Sequence, residues 1–155
     1  MKSLSDYAGI FGDAHSHLEK LLKQWVPSGP DLTEKQYEHE LLIWLQTSLS
    51  HVPIIAQYGI AKGKADLVIQ DSHVIELKLA FKADSVAEFD RCIGQMERYK
   101  QKWVKKNRGP VYLVVVGESD SEFRSLLHTW FKEVNPSTLD LCFQKPEFYL
   151  IEKQI

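Results

Sequence analysis

Cysteine is nearly absent: Cys92 and Cys142 stand alone and far apart in a chain of 155 residues. That excludes a disulfide framework and a CxxC metal knuckle, and leaves two isolated thiols that read as small buried hydrophobes. Charge of one sign is also missing. The net charge is only −2, whereas a dedicated binder of nucleic acid is usually strongly basic, so any contact with a polyanion has to come from a local patch. Long apolar runs are lacking, and none approaches the length of a membrane span. The amino terminus, MKSLSDYAGIFGDAHSH, does not have the basic-then-apolar order of a secretory signal. The cytoplasm is therefore the expected location, with no membrane partner. No HExxH, triad spacing or phosphate-loop glycine pattern occurs, and His15 and His17 fall on different sides of their helix.

What is present is the composition of an ordinary globular domain. With 44% hydrophobic and 26% charged residues, the chain is long enough for one domain, 1–155, with a real core. Tyr7, Ile10, Phe11, Leu18, Leu21, Leu22 and Trp25 recur near helical spacing over 6–26. They predict an accessory first helix, and with PSGPD at 27–31 they make an accessory N-terminal segment over 1–30. Thr33 and Gln36 then form a capping box ahead of Tyr37, Leu41, Leu42, Leu45 and Leu49, a second helix.

PIIAQYGI, ADLVIQ and HVIELKLA read as a three-strand meander. Val86, Phe89, Ile93, Met96 and Val104 return to helical period over 84–106, and NRGP stops that helix. VYLVVVG is apolar throughout, as a strand buried on both faces would be. ESDSEFRSLLHTWFKEV predicts a last helix, with LDLCF and EFYLIE as two further strands. The expected fold class is α/β, a mixed β-sheet flanked by helices on both faces.

The central hairpin, KADLVIQDSHVIELKLA, carries charges where strands rarely tolerate them. Alternation puts Asp66 with Val68 on one face of its strand, and Val74, Glu76 and Lys78 on one face of the next. A three-residue loop at Gln70, Asp71 and Ser72 would set Asp66 directly opposite Glu76, whereas a two-residue loop would put them on opposite faces. Directly opposed carboxylates, with β-carbons about 5 Å apart, repel. A divalent cation turns that repulsion into chelation, and hard oxygen donors suit Mg²⁺ or Mn²⁺ better than zinc. The ammonium of Lys78, from the same face, would orient an attacking water and offset negative charge in a transition state.

Gly59, Asp66 and the Glu76-Leu77-Lys78 triplet, written GIAKGKADLVIQDSHVIELK, resemble the GxxxxxxD…ExK signature of the PD-(D/E)XK nuclease superfamily, with Ala65 where the name of the family has Pro. The resemblance covers roughly 33–116, the motif-bearing core, and implies a restriction-endonuclease-like α-βββ-α-β core with an extra N-terminal helix. The family's helix before the first core strand often carries a metal-reaching Glu. YEHELLIWL offers Glu38 or Glu40, with Glu38 preferred because it lies on the inward stripe. Gln95 and Tyr99 in GQMERYK have the QxxxY spacing of the RecB-type branch, one turn apart and expected on the flank of the helix, beside its apolar stripe.

The resemblance implies a Mg²⁺-dependent nuclease acting on DNA, with Mn²⁺ able to substitute. Asp66, Glu76, the Leu77 carbonyl and Glu38 would hold the metal, and Lys78 would position water. Lys62 and Lys64, with Arg91, Arg98, Lys100, Lys102, Lys105, Lys106 and Arg108, lie where a phosphate backbone would pass, and Lys64 joins Gln95 and Tyr99 as a substrate contact. Trp103 reads as a core residue before it reads as a stacking platform. A second copy or a protein partner would supply targeting. The other reading is a nuclease-fold module that binds nucleic acid or protein without cutting.

Overall fold

The computed structural model describes residues 2–4, 6, 14–106, 108–135 and 146–155. Among them a five-stranded mixed sheet is flanked by four α-helices, two on each face. In chain order these are α1 (Ala14–Gln24), α2 (Glu34–Ser48), β1 (Ile54–Ile60), β2 (Gly63–Ile69), β3 (His73–Leu79), α3 (Val86–Lys102), β4 (Val111–Val116), α4 (Ser121–Val134) and β5 (Phe148–Lys153). The strands lie side by side in sequence order. β1, β2 and β3 form an antiparallel meander, while β3, β4 and β5 run parallel. The strand expected at LDLCF, the start of the first helix at Tyr7, Ile10 and Phe11, and Cys142 lie outside the described residues.

Two cores follow from strand alternation. Leu67, Ile69, Ile75, Leu77 and Val114 face one way, onto Leu18 and Leu22 of α1 and Leu41 and Leu45 of α2. Val68, Val74, Leu113 and Val115 face the other way, onto α3 and onto Phe123, Leu127 and Phe131 of α4. β4 is buried at every residue, as its unbroken apolar run requires. α2 begins where expected: the Thr33 side chain accepts from the Gln36 amide, and Gln36 returns the bond to the Thr33 amide.

The phase of α3 differs from the sequence expectation. Its buried stripe is Phe89, Cys92, Met96 and Tyr99, continued by Trp103, whereas Val86 is exposed and Ile93 only half-buried. Tyr99 is therefore a core residue rather than a flank residue, with only 1% of its surface exposed. Trp103 is equally enclosed, and its indole N–H donates to the Ser72 carbonyl at 3.1 Å. Gly109, with φ of 102°, also comes close to that carbonyl: an added Cβ would lie 2.4 Å from the same oxygen. The β2–β3 turn is thus held against the end of α3 and the approach to β4.

Candidate metal and phosphodiester site

The hairpin turn holds three residues, Gln70, Asp71 and Ser72. Gln70 and Asp71 both have positive φ, and the Ser72 amide closes on the Ile69 carbonyl at 3.1 Å. The resulting register pairs Ile69 with His73, Val68 with Val74 and Leu67 with Ile75. One step further along, Asp66 stands across from Glu76. The regular β2–β3 ladder ends at that step, and the β1–β2 ladder is interrupted there for one pair before it resumes. In β1 the residue opposite Asp66 is Gln57, which has φ of 55° and drops out of an otherwise continuous pairing.

Side chains take over the main-chain groups released there. Continued without a break, the β2–β3 register would pair Leu77 with Ala65. The Leu77 amide instead donates to Oδ2 of Asp66 at 2.9 Å, and the Asp66 amide lies 3.4 Å from Oε2 of Glu76. The N–H and C=O of one strand residue point the same way, so the Leu77 carbonyl faces this opening as well.

Glu76 is almost fully enclosed, and two side chains meet it. Its Oε2 accepts from the Tyr99 hydroxyl at 2.8 Å, its Oε1 lies 3.2 Å from Nζ of Lys78, and the amide of Gln95 in turn donates to the Tyr99 oxygen at 2.9 Å. Burial drives the Glu76 carboxyl above its usual range, against the pull of Lys78 and Tyr99. Asp66 is pushed up to about 7, first by burial and then by the neighbouring Glu76 charge. The two acids thus raise the cost of each other's ionisation. For Lys78, burial works against the charge, but Glu76, Glu34 and Asp66 outweigh it and hold the ammonium above its ordinary range. Tyr99 is held protonated by burial and by Glu76, so it is a donor.

Glu38 lies close enough to add to the upward push on Asp66, and its carboxylate accepts from the Gln57 side-chain amide at 3.0 Å. Glu40 faces elsewhere and holds the Ser28 amide at 3.1 Å together with the Ser28 hydroxyl. Of the two glutamates that the sequence offers, Glu38 is the one beside the pair. Glu34, which the sequence reading did not single out, reaches Lys78 at 3.4 Å and the Leu79 amide at 3.3 Å.

A cleft of about 200 Å³ lined by Glu34, Lys78, Glu88, Arg91 and Gln95 opens beside these groups. Lys64 is exposed on β2, two residues before Asp66 and so on the same side of the strand. Tyr99 and Trp103 are buried, which removes both from use as base-stacking platforms. Cys92 sits in the core behind the site, and burial pushes its thiol up to about 12, leaving it inert. Gly59, the first residue of the signature, pairs with Lys64, and an added Cβ there would meet nothing within 4 Å.

Among the described residues no three His, Cys, Asp or Glu side chains converge as a ready metal cluster. The donor set is a facing carboxylate pair with a carbonyl beside it. That set fits Mg²⁺, which is commonly bound through one or two carboxylates while keeping several waters. It does not fit zinc, which takes His or Cys. No helix among the described residues is long and apolar enough to cross a membrane. No family model, curated protein or solved structure matches this chain.

Proposed function

We propose that the chain is a Mg²⁺-dependent nuclease of the PD-(D/E)XK kind, acting in the cytoplasm and hydrolysing phosphodiester bonds of DNA. One observation carries the reading: Asp66 and Glu76 stand opposed where the ladder opens, with the Lys78 ammonium against Glu76. Opposed buried carboxylates are unfavourable in a sheet unless a cation repays them. The α-βββ-α-β order, the RecB-type QxxxY spacing and the basic side chains of Lys64 and Arg91 nearby support the same reading.

In this reading Asp66, Glu76 and the Leu77 carbonyl hold the cation, with Glu38 beside them. The bound cation supplies Lewis-acid stabilisation of the charge that builds on the phosphoryl oxygens. Lys78, charged throughout the neutral range, donates a hydrogen bond that fixes an attacking water and offsets negative charge, and it does not act as a base in this arrangement. Tyr99 and Gln95 keep the Glu76 carboxylate in one orientation, while Arg91, in the cleft, and Lys64, exposed on β2, would meet phosphates. A second copy or a targeting partner would direct the enzyme to its sites.

The test is cleavage of plasmid and single-stranded DNA with Mg²⁺, Mn²⁺ or EDTA, with binding measured in parallel. Asp66→Ala and Glu76→Ala should abolish cleavage and leave DNA association largely intact, because phosphate affinity comes from basic residues. DNA binding by the wild type without cleavage under any metal would replace this reading with the non-cutting module.

A further inference from the structure

We infer that Glu34 is a positioning residue for Lys78, giving the ammonium a fixed partner when a divalent cation takes the Asp66–Glu76 pair. The inference rests on the metal-site reading above. Nζ of Lys78 lies between two carboxylates, 3.2 Å from Oε1 of Glu76 and 3.4 Å from Oε1 of Glu34. The two differ in setting: the Glu76 side chain is 2% exposed and that of Glu34 39%. Glu34 is held from two directions. Its other oxygen takes the Leu79 amide at 3.3 Å, and it opens α2, whose end is fixed by the Thr33–Gln36 capping box and favours an anion.

A cation at the pair and the ammonium of Lys78 draw on the same Glu76 carboxylate. Two positive charges a few ångströms apart repel strongly in a half-buried site. With Glu76 as its sole counter-ion, Lys78 would weaken the cation or swing away from it. With Glu34 in place, the ammonium keeps an anchored anion, stays beside the reacting position, and gives up its share of Glu76 at lower cost. The contact that joins Glu34 to the pair is its bond to the Lys78 ammonium, and its influence runs through that bond.

The experiment is a Mn²⁺ and Mg²⁺ titration, by calorimetry and by thermal melts, of the wild type, Glu34→Gln, Glu34→Asp, Lys78→Met and the Glu34→Gln/Lys78→Met pair. Glu34→Gln should weaken cation affinity by about threefold to tenfold in the wild-type background and by less than about twofold in the Lys78→Met background. Glu34→Asp keeps the charge but shortens the reach, and should weaken affinity as Gln does. It decides the matter even if Lys78→Met does not fold. Equal losses in both backgrounds, or full affinity in Glu34→Asp, would mean that Glu34 acts through bulk charge, and the inference falls. A wild type that binds the cation while Glu34→Gln is unchanged overturns the inference alone. A wild type with no cation affinity overturns the metal site and the inference together.

Discussion

The Tyr99 hydroxyl and the Glu76 carboxylate meet at 2.8 Å with both residues buried, and this bond ties the last turn of α3 to the middle of β3. A hydrogen bond to a buried carboxylate contributes about 1.5–3 kcal/mol. Tyr99→Phe keeps the ring in the core and removes only the donor, so its melting temperature should fall by several degrees. Tyr99→Ala would add a cavity and about 3–5 kcal/mol of further loss, which makes it the poorer probe. Gln95→Ala should leave stability within about 0.5 kcal/mol while lowering the cleavage rate. Thermal melts of the three variants separate these cases, and a Tyr99→Phe protein as stable as the wild type would rule the bond out.

Stability should fall as pH rises through the acid range. Burial and Glu76 push Asp66 up to about 7 from an ordinary value of 3.8. The native state therefore keeps a proton that the unfolded chain releases at lower pH, and between those values ionisation favours unfolding. Melts in EDTA from about pH 4.5 to 8.5 should show the wild type losing stability up to about pH 7 and levelling beyond it. Asp66→Asn should flatten the slope and melt several degrees higher at pH 8. A wild type whose melting temperature rises over that window would contradict the assignment.

Removing the ammonium should expose what it balances. Glu76 has 2% of its side chain exposed and Lys78 22%, and breaking such a pair from one side costs about 3 kcal/mol because the remaining charge is stranded. Lys78→Met should be destabilised in EDTA and recover much of the loss when Mn²⁺ is added, while cleavage stays far below wild type. Loss that Mn²⁺ does not relieve would place the defect in packing.

Two glycines should behave oppositely. Gly59→Ala meets open space and should leave the melting temperature within the usual surface range of about 0.5 kcal/mol. A fall in cleavage with the fold intact would then point to close approach of a substrate backbone. Gly109→Ala has to adopt φ of 102° with its Cβ 2.4 Å from the Ser72 oxygen, and should lower the melting temperature by several degrees. Differential scanning fluorimetry compares the two directly.

The hairpin was legible because a period of two leaves few registers. Once the turn spans Gln70 to Ser72, Asp66 and Glu76 have to face each other. The phase of α3 was less legible. Val86 and Ile93 are more apolar than Cys92 and Tyr99, and hydropathy alone selects the wrong edge. Tyr99 turns inward because its hydroxyl finds Glu76 there, a partner 23 residues earlier in the chain. Glu34 was hidden for a similar reason: its contact with Lys78 spans 44 residues and depends on how α2 crosses the end of β3. Nor could sequence reveal that His15 and His73 meet at 2.9 Å to join α1 to the sheet, since their spacing matches no local pattern.

The kink at Gln57 also acts on the outer rim of the sheet. Among the described residues β1 has a neighbour on one side only, and its row of amides and carbonyls is the kind of margin to which a foreign strand adds. The left-handed backbone at Gln57 splits that row into Ile54–Ala56 and Tyr58–Ile60. An incoming chain would find two stubs of three residues, each too short to hold it. The bend that frees Asp66 from the ladder thus also makes β1 a poor template for a foreign strand.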